Sequence, residues 1–176
     1  MDTSRSDRMA KTFLARRQPY KRKTLVYRYL FHAPRTAVFK QLCPAREADW
    51  IDGWEADLIW TSTGYVEADC IFTTPAHNSI GPGLWIFTRL EPDRCVELVR
   101  IIEDNVVEHI KIDVEDTENG NCRGTWTLKF TAISEEGNRF IDALPDHDPD
   151  FDSVLAGLDL FLATDRQRGT PTAGHR

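Results

Sequence analysis

Residues 24–54, TLVYRYLFHAPRTAVFKQLCPAREADWIDGW, contain the change of period that decides how the fold begins. Leu25, Tyr27, Tyr29 and Phe31 fall on one side, and Val26, Arg28, Leu30 and His32 on the other. A period of two is that of a strand. Ala33-Pro34 closes it, because proline brings no N–H to a ladder. From Arg35 the apolar positions become Val38, Phe39 and Leu42, the spacing of a short helix that Pro44 ends.

Downstream, strand patterns recur over 55–60, 65–73, 84–90, 94–102, 106–116 and 122–133. Tight turns separate most of them: Thr61-Ser62-Thr63-Gly64, Glu91-Pro92-Asp93, and Asn119-Gly120, whose residues tolerate the positive φ of a type I′ hairpin. The connection 75–83, PAHNSIGPG, exceeds hairpin length and reads equally as a rim or lid and as a solvated connector. The chain closes on a helix. Asp148 can cap it, Pro149 suits its first position, and Asp150 and Asp152 complement its dipole. Phe151, Val154, Leu155, Leu158, Phe161 and Leu162 form its apolar stripe. A shorter helical turn is expected over 134–144.

Alternation gives the strands one dry face and one wet. Ala56, Leu58 and Trp60; Val66, Ala68, Cys70 and Phe72; Ile110, Ile112 and Val114; and Trp126, Leu128 and Phe130 are apolar sets. Glu55, Asp57, Glu67, Asp69, Lys111, Asp113, Thr127, Lys129 and Thr131 oppose them. A dry sheet face must be covered, and the terminal helix is the long amphipathic element able to cover it. The class is α+β.

The pattern F-x-A-P followed by V-F (Phe31, Ala33, Pro34, Val38, Phe39), the corner at residues 43–54, and Trp85 ahead of Glu91-Pro92 resemble the START-like (SRPBCC, Bet v 1-like) superfamily. The resemblance spans roughly residues 24–165. It implies a helix-grip fold: a seven-stranded curved antiparallel sheet around a C-terminal helix, with a short helical insertion after strand 1 and a cavity between sheet and helix. It also implies that a small, largely hydrophobic molecule fills that cavity, with no cofactor. The implied lining is Tyr27, Tyr29, Trp60, Phe72, Ile112, Trp126, Leu155 and Leu158. Two alternatives come with the resemblance. One is an enzyme like the polyketide cyclases and aromatases, for which Tyr27, Tyr29 and Arg100 are the candidate groups. The other is an interaction module like the Hsp90-activating co-chaperones.

Composition narrows the classes. The chain has 176 residues, 41% hydrophobic and 28% charged, as in one soluble domain with tails. No apolar run approaches the roughly 20 residues of a membrane span, and no secretory h-region opens the chain. Cytoplasmic residence is therefore expected. Residues 1–23 hold eight Lys/Arg against Asp2 and Asp7, a charge of +6; the whole chain is −6, so the remainder carries −12. An acidic body argues against a nucleic-acid face. The expected organisation is a basic arm over 1–22, a domain over 23–166 and a tail over 167–176.

Motif chemistry is sparse. There is no G-x-S-x-G and no phosphate loop. Cys43, Cys70, Cys95 and Cys122 form no C-x-x-C pair and read as free, mostly buried thiols. Asp146, Asp148, Asp150 and Asp152 imitate a calcium loop but lack its Gly and its closing Glu, so no metal is expected. His32 and His109 fall on the outer face, and His77, His147 and His175 have no partner at ligand spacing. Arg89 and Arg100 are expected to point outward and pair across strands. Were either to point inward, Glu97 or an acidic ligand group would have to meet it. In the corner, Arg46 and Glu47 are expected to fix the turn, and Trp50 and Trp54 to seal it to the sheet.

Overall fold

The computed structural model describes residues 20–78 and 80–169, with side chains to Thr164. Strand β1 (Arg22–Phe31) leads into helices α1 (Arg35–Lys40) and α2 (Pro44–Glu47). Then follow β2 (Asp57–Trp60), β3 (Ile71–Thr74), β4 (Gly83–Glu91), β5 (Cys95–Ile102), β6 (Val106–Asp116) and β7 (Cys122–Ala132). Helices α3 (Glu135–Ala143) and α4 (Pro149–Gly169) close the chain. The strands form one seven-stranded antiparallel sheet in the order β1-β7-β6-β5-β4-β3-β2, so consecutive hairpins build all of it except the pairing of β1 with β7. The expected arm lies outside the described residues up to Pro19, while Arg22, its last residue, opens β1. Of the expected tail, residues 167–169 continue α4 and the rest lies outside the described residues.

Turn chemistry sets the register. Between β5 and β6, Asn105 N donates to Ile102 O at 2.9 Å, with Glu103 and Asp104 at φ 47° and 55°. Both central residues are left-handed, as in a type I′ turn, and Asn105 follows as a third loop residue before Ile102 pairs with Val106. Between β6 and β7, Asn119 and Gly120 take φ 63° and 72°, as their identities foretell.

The first hairpin departs from the alternation. Residues 65–70 are not strand, and Leu58 and Trp60 stand exposed on the edge strand β2. The cause is local. Thr61 Oγ1 and Ser62 Oγ donate to the Glu67 carboxylate at 2.9 and 3.0 Å, folding the chain back on itself, and Asp69 at φ 66° breaks the pleat. Pro44 also does more than end a helix. It occupies the first turn of α2, where its missing N–H costs nothing.

Helix α4 begins where expected, with Asp148 Oδ1 accepting Asp150 N at 3.0 Å. Leu155 and Leu158 are 1% and 0% exposed. Its Phe151 ring lies 4.4 Å from that of Tyr27, and Asp159 Oδ1 accepts His32 N at 2.8 Å. The helix therefore follows β1 from Tyr27 toward His32. Helix α3 is capped by Ser134, whose Oγ accepts Gly137 N at 2.9 Å and reaches Asn105 Oδ1 at 2.5 Å, docking the helix on the β5–β6 turn.

Candidate binding site

Register arranges the inward side chains of the sheet in ranks. One rank reads Phe72, Trp85, Arg100, Glu108, Phe130 and Lys23 across β3, β4, β5, β6, β7 and β1. The next reads Phe87, Leu98, Ile110, Leu128 and Leu25. A third reads Val96, Ile112, Trp126 and Tyr27. Phe151 of α4 lies over Tyr27 and, at 6.5 Å, Trp126, so the helix begins at the third rank and runs away from the other two.

The middle of this face keeps slight access to solvent. Leu98, Ile110 and Leu128 keep 6–7% exposure although they lie in three central strands; Val96, Val106 and Val114, toward the ends of β5 and β6, keep 0–1%. Tight packing would leave the centre driest. Solvent-sized space therefore reaches the second rank, as it reaches Ile102 at the end of β5, which keeps 8%.

Arg100 and Glu108 bound that space, and both point inward. For Arg100 this corrects the outward expectation, and its partner is Glu108 rather than Glu97. Arg100 Nη1 donates to Glu108 Oε2 at 3.5 Å, Nη2 to Ile80 O at 2.6 Å and to Pro82 O at 2.8 Å, and Nε to Pro82 O at 3.3 Å. Its guanidinium lies 4.7 Å from the centre of the Trp85 ring, a cation–π contact. A Cβ at Gly83 would come within 2.6 Å of Arg100 Nε, so glycine is what admits the arginine. Burial pushes the Glu108 carboxyl up to about 7, with Arg100 opposing the shift, and burial lowers Arg100. Arg89 is outward as expected, donating to Glu97 Oε1 at 3.0 Å and pairing with Glu91.

Hydrogen bonds hold the described residues of the connection between β3 and β4. Besides the two carbonyls held by Arg100, Thr74 Oγ1 donates to Gly81 O at 2.9 Å while accepting Trp85 Nε1 at 3.0 Å. Asn78 Nδ2 donates to Glu55 O at 2.6 Å. Across the sheet, Lys23 Nζ donates to Leu144 O at 2.6 Å and pairs with Asp146 at 2.8 Å, tying the segment before α4 to β1.

Of the residues expected to line a cavity, Tyr27, Ile112 and Trp126 share one rank and Phe72 sits in another. Leu155 and Leu158 are packed solid, Tyr29 is partly buried against Phe31, and Trp60 is 49% exposed on the edge strand, outside this set. The phenols are poorly placed as acids. Tyr27 Oη accepts Asp148 N at 3.0 Å, and burial raises both Tyr27 and Tyr29 above the ordinary phenol value. In the corner, Arg46 pairs with Asp49 at 3.5 Å instead of Glu47, and Trp54 Nε1 donates to Pro44 O at 2.8 Å. Half-buried Glu47 has its carboxyl pushed to about 8 by burial. A separate pocket of about 190 Å³ opens at this corner, lined among others by Pro44, Trp54, Leu58, Tyr65 and Phe72. Among the described residues, no group of three or more His, Cys, Asp or Glu could hold a metal, and no helix is long and apolar enough to cross a membrane.

Solved structures share this architecture. Norcoclaurine synthase from Thalictrum flavum, in complex with a transition-state analogue, superposes with a TM-score of 0.62 at 11% identity over 84% of this chain and 98% of that one. The chain has the Bet v 1-like helix-grip fold. An uncharacterised protein from Rhizobium leguminosarum matches with a TM-score of 0.57 at 14% identity, covering 82% of this chain and 97% of its own. CalU16 from Micromonospora echinospora gives 0.53 at 15% identity, covering 86% and 90%. No family model matches the sequence and no curated protein matches it, so the likeness to known proteins is one of helix-grip architecture.

Glu108 is absent from the sequence-based expectation, and Ile110 and Leu128 figure there as the dry face without being placed in the lining, although the signal for Glu108 is present. Ile110, Ile112 and Val114 were placed inward, and stepping back two residues along the same face of β6 reaches Glu108.

Proposed function

We propose that this helix-grip protein binds a small, largely apolar molecule in the space over its concave sheet face. The observation that supports the reading is that Leu98, Ile110 and Leu128, on the inner face of three central strands, keep 6–7% exposure where Val96, Val106 and Val114 keep 0–1%. A site of this kind is mostly apolar with a few placed polar groups. Leu98, Ile110, Leu128 and Phe130 would form its floor, Tyr27, Ile112 and Trp126 one wall, and Arg100 and Glu108 the other. The comparison proteins support the reading only as analogy, since one fold hosts unrelated activities. Norcoclaurine synthase from Thalictrum flavum has been solved with dopamine and hydroxybenzaldehyde, both small aromatic molecules.

The test is saturable binding of an apolar fluorescent probe to the native protein, with Ile110→Trp placed to fill the space. We expect the probe to bind the parent protein and to bind this variant at least about tenfold more weakly, while the circular dichroism stays native. Equal binding to both would place the probe elsewhere and defeat the reading.

A further inference from the structure

Hydrogen-bonding capacity at the Arg100–Glu108 pair is unevenly used. Nε and Nη2 of Arg100 are committed to the carbonyls of Ile80 and Pro82, leaving Nη1 as the nitrogen that reaches the carboxylate, at 3.5 Å. A carboxylate offers about four acceptor positions. Glu108 Oε2 takes that single long contact, and Oε1 takes none among the described residues. Yet Glu108 is only 3% exposed. Oε1 is not among the enclosed polar atoms that lack a partner, so solvent reaches it, and a carboxylate this deep with one open oxygen is a place for a donor to bind. On the inner face Glu108 lies beside Phe130, its partner on β7, and Ile110, two residues along β6, next to the second rank.

We propose that Glu108 is the polar anchor of the cavity and selects an apolar ligand bearing a hydroxyl group, an alcohol or phenol, whose O–H donates to the free carboxylate oxygen. This rests on the binding reading above and specifies the class of ligand. Other classes fit less well. An anionic ligand finds the guanidinium already engaged by carbonyls and, above about pH 7, meets the charge of Glu108. A cationic one must sit beside Arg100. A bare hydrocarbon leaves the carboxylate oxygen as unmatched as before. A site built around a hydroxyl discriminates strongly against the analogue that lacks it, because the buried acceptor is then left alone.

The experiment compares ligands of one shape by calorimetric titration: 2-naphthol, 2-methoxynaphthalene, naphthalene and 2-naphthoate. Methylation keeps the oxygen but removes the proton to be donated. We expect 2-naphthol to bind at least about tenfold tighter than the ether or the hydrocarbon, and the carboxylate to bind most weakly. Replacing the pair as a unit with Arg100→Met and Glu108→Leu removes both charges together and should abolish the preference while naphthalene still binds. Equal affinity of the parent protein for 2-naphthol and 2-methoxynaphthalene would overturn the proposal even if the double variant failed to fold. A preference surviving in a folded double variant would do the same. If neither naphthalene nor the apolar fluorescent probe binds the parent protein, the cavity reading itself falls, and the anchor with it.

Discussion

The hydroxyl of Tyr27 accepts the main-chain N–H of Asp148 at 3.0 Å, joining the middle of the first strand to the residue that caps the last helix. The two lie 121 positions apart, so this one bond helps hold the grip shut. Tyr27→Phe keeps the ring against Phe151 and His147 and deletes only the acceptor. We expect a loss of about 1 kcal/mol in urea unfolding, the usual net worth of such a bond. Tyr29→Phe, whose hydroxyl makes no comparable tie, should cost less.

Burial of Leu158 tests whether α4 belongs to the core. Leu158→Asp sets a carboxylate where the native side chain is wholly enclosed. Lost packing and an unpaired charge should together cost at least about 3 kcal/mol. Wild-type-like chemical denaturation would show that the helix is dispensable.

Gly137 faces a hard limit. A Cβ there would approach Asn105 O, a main-chain atom, to 2.0 Å. Gly137→Ala should push α3 off the β5–β6 turn at a cost of about 1–3 kcal/mol. Ser134→Ala, which removes the cap and the hydroxyl's bond to Asn105 without a clash, should cost about 1 kcal/mol. Thermal melts of the two variants should rank in that order.

Stability should fall as pH rises from about 4.5 toward 8. Burial lifts Glu108 to about 7 and Glu47 to about 8 in the folded protein, above the unfolded value near 4.5. Within that window the folded chain holds protons that the unfolded chain has released, so raising the pH favours unfolding. Glu67, Glu91 and Asp146 are shifted the other way and titrate below the window, where acid weakens the fold. Glu108→Gln is the cleaner variant, because Glu47 keeps some contact with solvent. Unfolding free energies of the parent and of this variant should lie closest near pH 4.5 and separate as the pH rises, the parent falling more steeply.

The long strands were legible because each buries one full face. Tyr27 and Leu25 on β1, Ile110 and Ile112 on β6, and Trp126 and Leu128 on β7 alternate cleanly, and alternation is what a half-buried strand writes into sequence. The edge was misread because Leu58 and Trp60 are apolar without being covered, and apolarity predicts burial only one way. The site was hardest to read. Arg100 and Glu108 interrupt apolar parity from adjacent strands, and each alone looks like a surface charge. Only the pairing register, a long-range fact, shows that they meet.

That meeting is a matter of counting. The hairpin turns on Glu103 and Asp104, and the same register that pairs Ile102 with Val106 sets Arg100 opposite Glu108. In a pleated pair, parity decides which side of the sheet a residue joins. One extra residue in the loop, with β6 shifted to suit, would bring Val107 opposite Arg100 and carry Glu108 to the solvent side. The guanidinium would stay indoors without its counter-charge. A three-residue loop after β5 therefore acts as the molecule's ruler, measuring two opposite charges onto the same level of an otherwise oily wall.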